Sequence, residues 1–482
     1  MTNSVKEQVA LLFNPTSVAV IASFSGPGWG LGVMHKLVAP NSRKVYPINP
    51  NATEVFGQKA YPSIKDVPGP VDMVVLAVPY KELPKAMREC ASIGVKCALV
   101  ITAGLAETGV EGKAVEDEIL KITRDADIRF IGPNSMGHMN TWTELSTTAW
   151  VGDLEKGSVA LLSQSGTYGC RVLEEGKNSG IGFSKFVSCG NEADLTLEDY
   201  LEYLGDDEHT KVIAIYAEGL RRGKRFFELA REITRHKPIV VMKAGRSDSA
   251  TKAAKSHTAA IVGADHLYDA MFRQSGCIRV QEDDELLDIV SALTALPYPK
   301  GRRVGILTNG GGIGVVASDE CELAGLQIPS FSKGTLNKLN QMLPSRWSHG
   351  NPADMTDTGS RGEMVALQCL WDIMNDENVD MLMLIGGVDA PVGSDYSKIF
   401  SITEEMIATR DKKIGEDIKT TVERLKACGK PLVVSRLILG PSAGMDKFEE
   451  CGIPVLSDPR RAAAVLRHLV WYQEYLSNRS ET

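Results

Sequence analysis

The sequence lacks the features typical of membrane proteins, exported proteins and nucleic-acid-binding proteins. Its most apolar runs, such as MVVLAVP and MLMLIGG, are far shorter than the ~18 residues of a membrane-spanning helix. The first residues, MTNSVKEQVALLFNP, carry early charges and no small-residue cleavage site, so we expect no signal peptide and a cytoplasmic location. The 53 basic residues do not outnumber the 61 acidic ones, and the net charge is −8. We therefore expect neither a nucleic acid nor a membrane as a partner.

Cysteine and histidine are too scattered to indicate a disulfide framework or a metal site. The nine cysteines are odd in number and contain no CxxC pair, which favours reduced thiols. The eight histidines form no HxH or HExxH pattern, so we expect no metal bound by this chain's own ligands.

The chain does contain a repeated pattern, and its 482 residues fit about three domains of ~150 residues each. Residues 17–33, 157–170 and 301–317 each combine a short apolar strand, a loop rich in Gly, Ser or Asn, and the start of a helix. Two further apolar strands follow each of them, separated by helix-like segments. This alternation predicts three α/β domains with parallel sheets. Residues 140–157 and 294–301 are the predicted linkers.

The first of these loops, SFSGPGWGLG, is a candidate phosphate-binding loop. Gly26, Gly28 and Gly30 would let the backbone approach a pyrophosphate, and the following helix would offer its N-terminus. The pattern is not a clean GxGxxG, because Leu31 stands where the third glycine is required. The identity of the nucleotide stays open, and a loop that is merely tight is the alternative.

The second loop, SQSGTYG, offers hydroxyl groups and backbone donors to a phosphoryl group. Ser163, Ser165, Gly166 and Thr167 lie between a strand and a helix. The sequence is neither a Walker A loop nor a GxSxG nucleophile elbow, which disfavours a serine hydrolase. An ordinary serine cap of the helix is the alternative.

The stretch KSHTAAIVGAD places one histidine, His257, among small or aliphatic residues. A neutral imidazole is nucleophilic near neutral pH and can accept a phosphoryl group. Glu218, at the end of the strand AIYAEG in the same predicted domain, would orient the other ring nitrogen. The alternative is an ordinary surface or core histidine.

Several stretches together resemble one family: LFNPTSVAVI, VYPINP, IGPNSMGHMNT, SQSGTYG, GIGFSKFVSCGNEADLTLEDYLEYL, AIYAEGLR and SHTAAIVGADHLYDAMFRQSGCIRV. The chain is similar to the α subunit of nucleoside-diphosphate-forming acyl-CoA synthetases, which include acetate–CoA ligase (ADP-forming) and are related to the succinyl-CoA synthetase α chain. The resemblance implies a Rossmann-like CoA-binding domain at 1–142. It also implies a flavodoxin-like ligase domain carrying the phosphohistidine at 150–297 and a second flavodoxin-like ligase domain at 300–476.

The resemblance implies an acid–thiol ligase that interconverts acyl-CoA, phosphate and ADP with a carboxylate, CoA and ATP. The intermediates would be an acyl phosphate and a phosphohistidine at His257, stabilised by Glu218. The phosphoryl group would be held by Ser163, Ser165, Gly166 and Thr167. CoA would be bound by Ser23, Ser25, Gly26, Gly28, Gly30, Pro79, Thr102, Ala103, Gly104 and Asn134.

The resemblance also implies a partner, because 482 residues leave no room for the family's ATP-grasp domain beside three others. ADP or ATP and Mg²⁺ would bind to a separate ATP-grasp β subunit in an α₂β₂ heterotetramer. Two departures from the family pattern are alanines in place of glycines, at Ala22 and in SHTAA, where the family has SHTGA. They keep a non-catalytic CoA-binding or acyl-CoA-binding scaffold as the alternative. An NAD-dependent oxidoreductase is weaker, since Asn49 replaces the acidic residue expected after the second strand.

Overall fold

The computed structural model describes residues 4–247, 265–355, 362–388, 403–437 and 442–480. The chain folds into two compact units, residues 1–286 and 287–482. The described residues form two large sheets in the first unit and one in the second, together with a two-stranded ribbon in the first unit. Within these ranges no helix has the length and apolarity needed to cross a membrane.

The first sheet is entirely parallel and has the strand order β2-β1-β5-β6-β7. Its central strands are buried on both faces, which is why they are continuous apolar runs rather than alternating ones. The strands, including the β3–β4 ribbon, are β1 (Ser17–Ala22), β2 (Lys44–Ile48), β3 (Glu54–Val55), β4 (Gln58–Lys59), β5 (Met73–Ala77), β6 (Cys97–Val100) and β7 (Arg129–Ile131). The helices in this part of the chain are α1 (Val5–Phe13), α2 (Trp29–Val38), α3 (Leu83–Ser92) and α4 (Val110–Asp125).

The second sheet has seven strands in the order β14-β13-β12-β10-β11-β8-β9. Its strands are β8 (His138–Asn140), β9 (Leu145–Ser146), β10 (Lys156–Ser163), β11 (Phe183–Ser188), β12 (Val212–Ala217), β13 (Ile239–Lys243) and β14 (Ile278–Val280). The helices between them are α5 (Gly166–Asn178), α6 (Leu197–Asp206), α7 (Gly223–Ile233) and α8 (Asp265–Ser275).

Five strands of this second sheet are parallel, as the sequence predicts, but β8 and β9 extend it antiparallel beyond β11. Part of the predicted linker at 140–157 therefore contributes to the sheet. The sequence gives no sign of this extension, because strands of three and two residues contain no apolar run that would mark them. The division into three domains stays a prediction.

The third sheet is parallel and has the strand order β16-β15-β17-β18-β19. Its three central strands are those predicted from the apolar runs. The strands are β15 (Val304–Thr308), β16 (Ala353–Asp354), β17 (Met381–Ile385), β18 (Leu432–Ser435) and β19 (Val455–Leu456). The helices are α9 (Asp283–Ala295), α10 (Gly311–Leu323), α11 (Lys333–Met342), α12 (Gly362–Met374), α13 (Glu404–Cys428), α14 (Ala443–Glu450) and α15 (Pro459–Ser480).

A buried histidine fastens α1 to the second sheet. His138 of β8 is fully buried, and its Nε2 lies 2.8 Å from the carbonyl oxygen of Leu12. Its Nδ1 lies 2.9 Å from the hydroxyl oxygen of Thr147, and its ring packs edge-on against Phe13. Burial lowers the pKa of His138 to about 4, because the charged imidazolium would lose its hydration. The folded protein therefore holds this imidazole neutral.

We predict that His138 makes the first unit acid-sensitive. In the unfolded chain the imidazole takes up a proton near its ordinary pKa of ~6.5, whereas in the folded chain it resists protonation down to about 4. The stability from this neutral imidazole is present above ~6.5 and is lost as the pH falls towards 4, by up to about 3 kcal/mol. Urea denaturation between pH 4 and 8 measures this, with the exposed His266 as the control site. His138→Gln should flatten the acid limb and His266→Gln should not; an unchanged acid limb in His138→Gln contradicts the assignment.

Candidate functional site

The fold brings the predicted CoA-binding residues to one edge of the first sheet. The loop Ser23–Gly30 follows β1, Pro79 follows β5, residues 102–104 follow β6, and Asn134 follows β7. All these strands are parallel, so their carboxyl ends meet at the same edge, which is where open α/β sheets bind ligands. The loop after β1 is placed between a strand and the N-terminus of α2, as predicted.

A cavity of about 340 Å³ opens beside this loop. The residues that line it come from the loop after β1 and from the segment after β2, and they include Ser23, Ser25, Asn49, Asn51, Glu54 and Phe56. The Asn49 side chain donates a 2.7 Å hydrogen bond to the carbonyl oxygen of Ala22, so it fixes the end of β2 to the end of β1. Pro79, Thr102, Ala103, Gly104 and Asn134 lie at the same edge but do not line this cavity.

The glycines of this loop are not equivalent. A Cβ atom at Gly30 would lie 2.4 Å from the Ser23 carbonyl oxygen and 2.7 Å from the Ala22 Cβ. A Cβ atom at Gly26 would meet nothing within 4 Å. Gly30 is therefore required for the close contact between the start of α2 and the loop, whereas Gly26 is free of packing constraints.

We predict that Gly30→Ala damages the loop and that Gly26→Ala does not. The added methyl group at position 30 would displace the backbone of Ser23, so we expect a loss of about 1–3 kcal/mol of stability and at least about tenfold weaker CoA binding. Thermal denaturation and calorimetric titration with CoA measure both effects. A wild-type CoA affinity in Gly30→Ala would contradict the assignment of this loop to the CoA site.

A polar network joins the carboxyl edge of the first sheet to the loop that follows β11. Glu107 accepts hydrogen bonds from the Gly104 backbone N–H (2.6 Å) and from the Asn191 side chain (2.5 Å). The Asn134 side chain donates to Asn191 at 3.3 Å. Burial raises the pKa of Glu107, but hydrogen bonds lower it by more. The side chain therefore stays a carboxylate. The sequence motifs did not identify Glu107 or Asn191 as site residues. Asn191 lies in the stretch SCGNEAD, which belongs to the family resemblance but was given no role of its own.

The SQSG loop joins β10 to α5 as the sequence predicts. Ser165 is the N-cap of α5 and accepts a 3.4 Å hydrogen bond from the Tyr168 backbone, so the ordinary cap is present. The Ser163 hydroxyl donates to the Ser165 carbonyl oxygen at 2.5 Å, which leaves its oxygen lone pairs to accept. Gly166 opens the helix, and Thr167 is exposed at its first turn. The N-terminus of α5 thus lies at the carboxyl edge of the second sheet.

Glu218 follows β12, which pairs with β10. It therefore lies at the same edge of the second sheet as the SQSG loop, as the sequence predicts. Its side chain is 8% exposed, and among the described residues its Oε2 has no hydrogen-bond partner. A buried carboxylate oxygen is costly to leave unpaired. Its predicted partner His257 lies outside the described residues.

Two domain descriptions match this arrangement. Residues 16–141 match a family described as a CoA binding domain, and residues 156–293 match the succinyl-CoA ligase like flavodoxin domain. A CoA-binding sheet followed by this second sheet defines a chain of the CoA ligase class.

Similar proteins identify the family within this class. The acetate–CoA ligase (ADP-forming) II subunit alpha of Pyrococcus furiosus is 41% identical over 374 residues, which cover 77% of this chain and 81% of the relative. The acetate–CoA ligase (ADP-forming) I of Archaeoglobus fulgidus is 41% identical over 375 residues, which cover 78% of this chain and 54% of the relative. The chain belongs to the family of ADP-forming acetate–CoA ligase α subunits, which are acid–thiol ligases.

A solved structure extends the likeness over the whole chain. The dinucleotide-forming acetyl-coenzyme A synthetase 1 of Ca. Korarchaeum cryptofilum, in complex with phosphate and ADP, is 30% identical with a TM-score of 0.86. The match covers 100% of this chain and 99% of that one. The family resemblance and the α/β fold inferred from the sequence motifs are thereby confirmed.

Proposed function

We propose that the chain is the α subunit of an ADP-forming acyl-CoA synthetase that works through an acyl phosphate and a phosphohistidine at His257. The observation that carries the proposal is the placement of the SQSG loop and the buried Glu218 at the carboxyl ends of neighbouring strands, β10 and β12. A helix start suits the phosphoryl oxygens of a phosphorylated imidazole, and a buried carboxylate with one oxygen unpaired among the described residues suits its ring N–H.

The first step joins phosphate to the acyl group. A phosphate oxygen attacks the thioester carbonyl carbon, the C–S bond breaks, and the CoA sulfur takes up the proton that phosphate releases. In this proposal the loop at 23–30 and the strand ends near Asn134 hold CoA at the edge of the first sheet. In this proposal the Ser165 hydroxyl and the start of α5 hold the phosphoryl oxygens. The Ser163 hydroxyl, which donates to the Ser165 carbonyl in this structure, would have to turn its proton to the phosphoryl group to join them.

The second step moves the phosphoryl group to His257. A ring nitrogen attacks phosphorus, the P–O bond to the acyl group breaks, and the free carboxylate leaves. The other ring nitrogen then donates its proton in a hydrogen bond to Glu218, whose carboxylate stabilises the positive charge on the ring. Such transfer needs positioning and charge neutralisation more than further covalent chemistry.

The third step needs a partner. A terminal oxygen of ADP attacks the phosphorus, the P–N bond breaks, and ATP forms while His257 returns to the neutral state. We assign the nucleotide and its Mg²⁺ to an ATP-grasp β subunit in an α₂β₂ assembly.

We predict that His257 is the phosphorylated residue. The α chain, with and without a co-expressed ATP-grasp subunit and Mg-ATP, is incubated with labelled phosphate and a panel of acyl-CoAs. The expected product is an acid-labile, base-stable label that His257→Ala abolishes and His266→Ala retains. The acyl-CoA that supports labelling identifies the substrate. No label in any combination, with CoA still bound, would favour the non-catalytic scaffold instead.

We predict that Glu218→Gln slows phosphohistidine formation by at least about tenfold, because a neutral amide cannot balance the imidazolium charge. CoA affinity should not change, since the predicted CoA residues lie on the first sheet. Glu228→Gln, on the exposed face of α7, is the matched control. Rapid-quench labelling measures the rate, and an unaltered rate in Glu218→Gln would remove Glu218 from the mechanism.

A further inference from the structure

The side chain of Gln164, the second residue of the SQSG loop, uses all of its hydrogen-bonding capacity. Its Oε1 accepts from the backbone N–H groups of Glu218 (2.6 Å) and Gly219 (3.0 Å). Its Nε2 donates to the Gly219 carbonyl oxygen (2.7 Å) and to Oε2 of Glu192 (2.7 Å). The side chain is 7% exposed. One carboxamide thus connects the loop after β10 to the end of β12 and to the loop after β11.

The orientation of this carboxamide is determined by its neighbours. If it were rotated by 180° about its last torsion, Nε2 would face the N–H groups of Glu218 and Gly219, and Oε1 would face two acceptor oxygens. Glu192 strengthens the observed orientation, since its other oxygen accepts a 2.7 Å hydrogen bond from the Leu197 backbone. The Nε of Arg221 lies 3.7 Å from the same Glu192 oxygen that Gln164 contacts.

The contact with Glu218 is made at its backbone. The Glu218 side chain is attached to one of the two peptide N–H groups that Gln164 holds, and its Oε2 is buried without a partner in the described part of the chain. Fixing the peptide therefore restricts where this carboxylate can point. The same loop that carries Ser163 and Ser165 provides the restraint, so the donor loop and the carboxylate cannot move independently.

We infer that Gln164 is a positioning residue that holds Glu218 in register with the SQSG loop, and that Glu192 fixes the orientation of Gln164. The inference rests on the proposed function and deepens it, because it assigns a role to a residue that does not touch the phosphoryl group. Its action on the reaction passes entirely through Glu218.

Exchanging the two side chains tests this role. Gln164→Glu keeps the shape and both bonds accepted at Oε1, but it replaces the amide donor by an oxygen that faces Glu192 and the Gly219 carbonyl. Adding Glu192→Gln returns a donor to the 164–192 contact, with the acid and the amide exchanged. The double variant therefore restores this hydrogen bond without restoring the original residues.

The experiment measures phosphohistidine formation and steady-state turnover in the complex of α chain and ATP-grasp subunit. We expect Gln164→Glu to lower kcat and the labelling rate about 10- to 100-fold, with KM for acyl-CoA and CoA affinity within about twofold of wild type. We expect the exchange variant, Gln164→Glu with Glu192→Gln, to recover at least about tenfold of that loss.

Several outcomes would overturn the inference: wild-type kinetics in Gln164→Glu, an exchange variant slower than either single variant, or a loss of CoA binding equal to the loss of kcat. If Gln164→Glu does not fold, the exchange variant carries the test. A folded exchange variant with labelling within tenfold of wild type supports the role, and one that binds CoA without labelling refutes it. Failure of both to fold would assign Gln164 to structure alone. Absence of label in wild type would instead refute the proposed function.

Discussion

A β-strand that ends inside a protein leaves backbone N–H and C=O groups without ladder partners, and each such group must be satisfied. In the first two sheets a side-chain carboxamide meets this requirement at the carboxyl ends of the strands. Asn49 bonds to the end of β1, and Gln164 bonds to the residues after β12. In the third sheet Asn351 instead bonds to Val304 and Ile306 in the first part of β15. Amides suit this task because they donate and accept at once, as a peptide group does. At the carboxyl edges of the first two sheets, where ligands are expected, amide side chains therefore bond to the strand ends.

The amide side chains near these edges also determine the surroundings of acidic side chains. Gln164 and Asn191 donate to acidic side chains that have further specific partners: half-buried Glu107 bonds to Gly104 and Asn191, and buried Glu192 bonds to Gln164 and Leu197. Burial, together with the nearby charge of Glu198, raises the pKa of Glu192 to about 7, whereas Glu107 is held ionised by its donors. Glu107 bonds to the loop after β11 and Glu192 lies in that loop, and their pKa values shift in opposite directions because their surroundings differ.

The sequence predicts the central strands, the loops after them and the positions of Ser163, Ser165 and Glu218, because doubly buried parallel strands are long apolar runs. It does not predict β8, β9, β16 or β19, which have two or three residues and no pattern. The partners of Gln164 are equally hidden. Glu218 is 54 residues away and Glu192 is 28 residues away, so no local spacing links them. The role of His257 stays a prediction, because that residue lies outside the described ranges.

The antiparallel extension of the second sheet has a consequence for how the chain can be divided. β8 covers one edge of β11, and β8 is in turn covered by β9. A fragment that begins at residue 150 would lack both strands and expose the N–H and C=O groups of β11, whose residues are all buried in the intact chain. Such an uncovered apolar edge is a template for pairing with other chains. Two short strands of five residues in all thus cover the edge of the second sheet that β11 would otherwise expose.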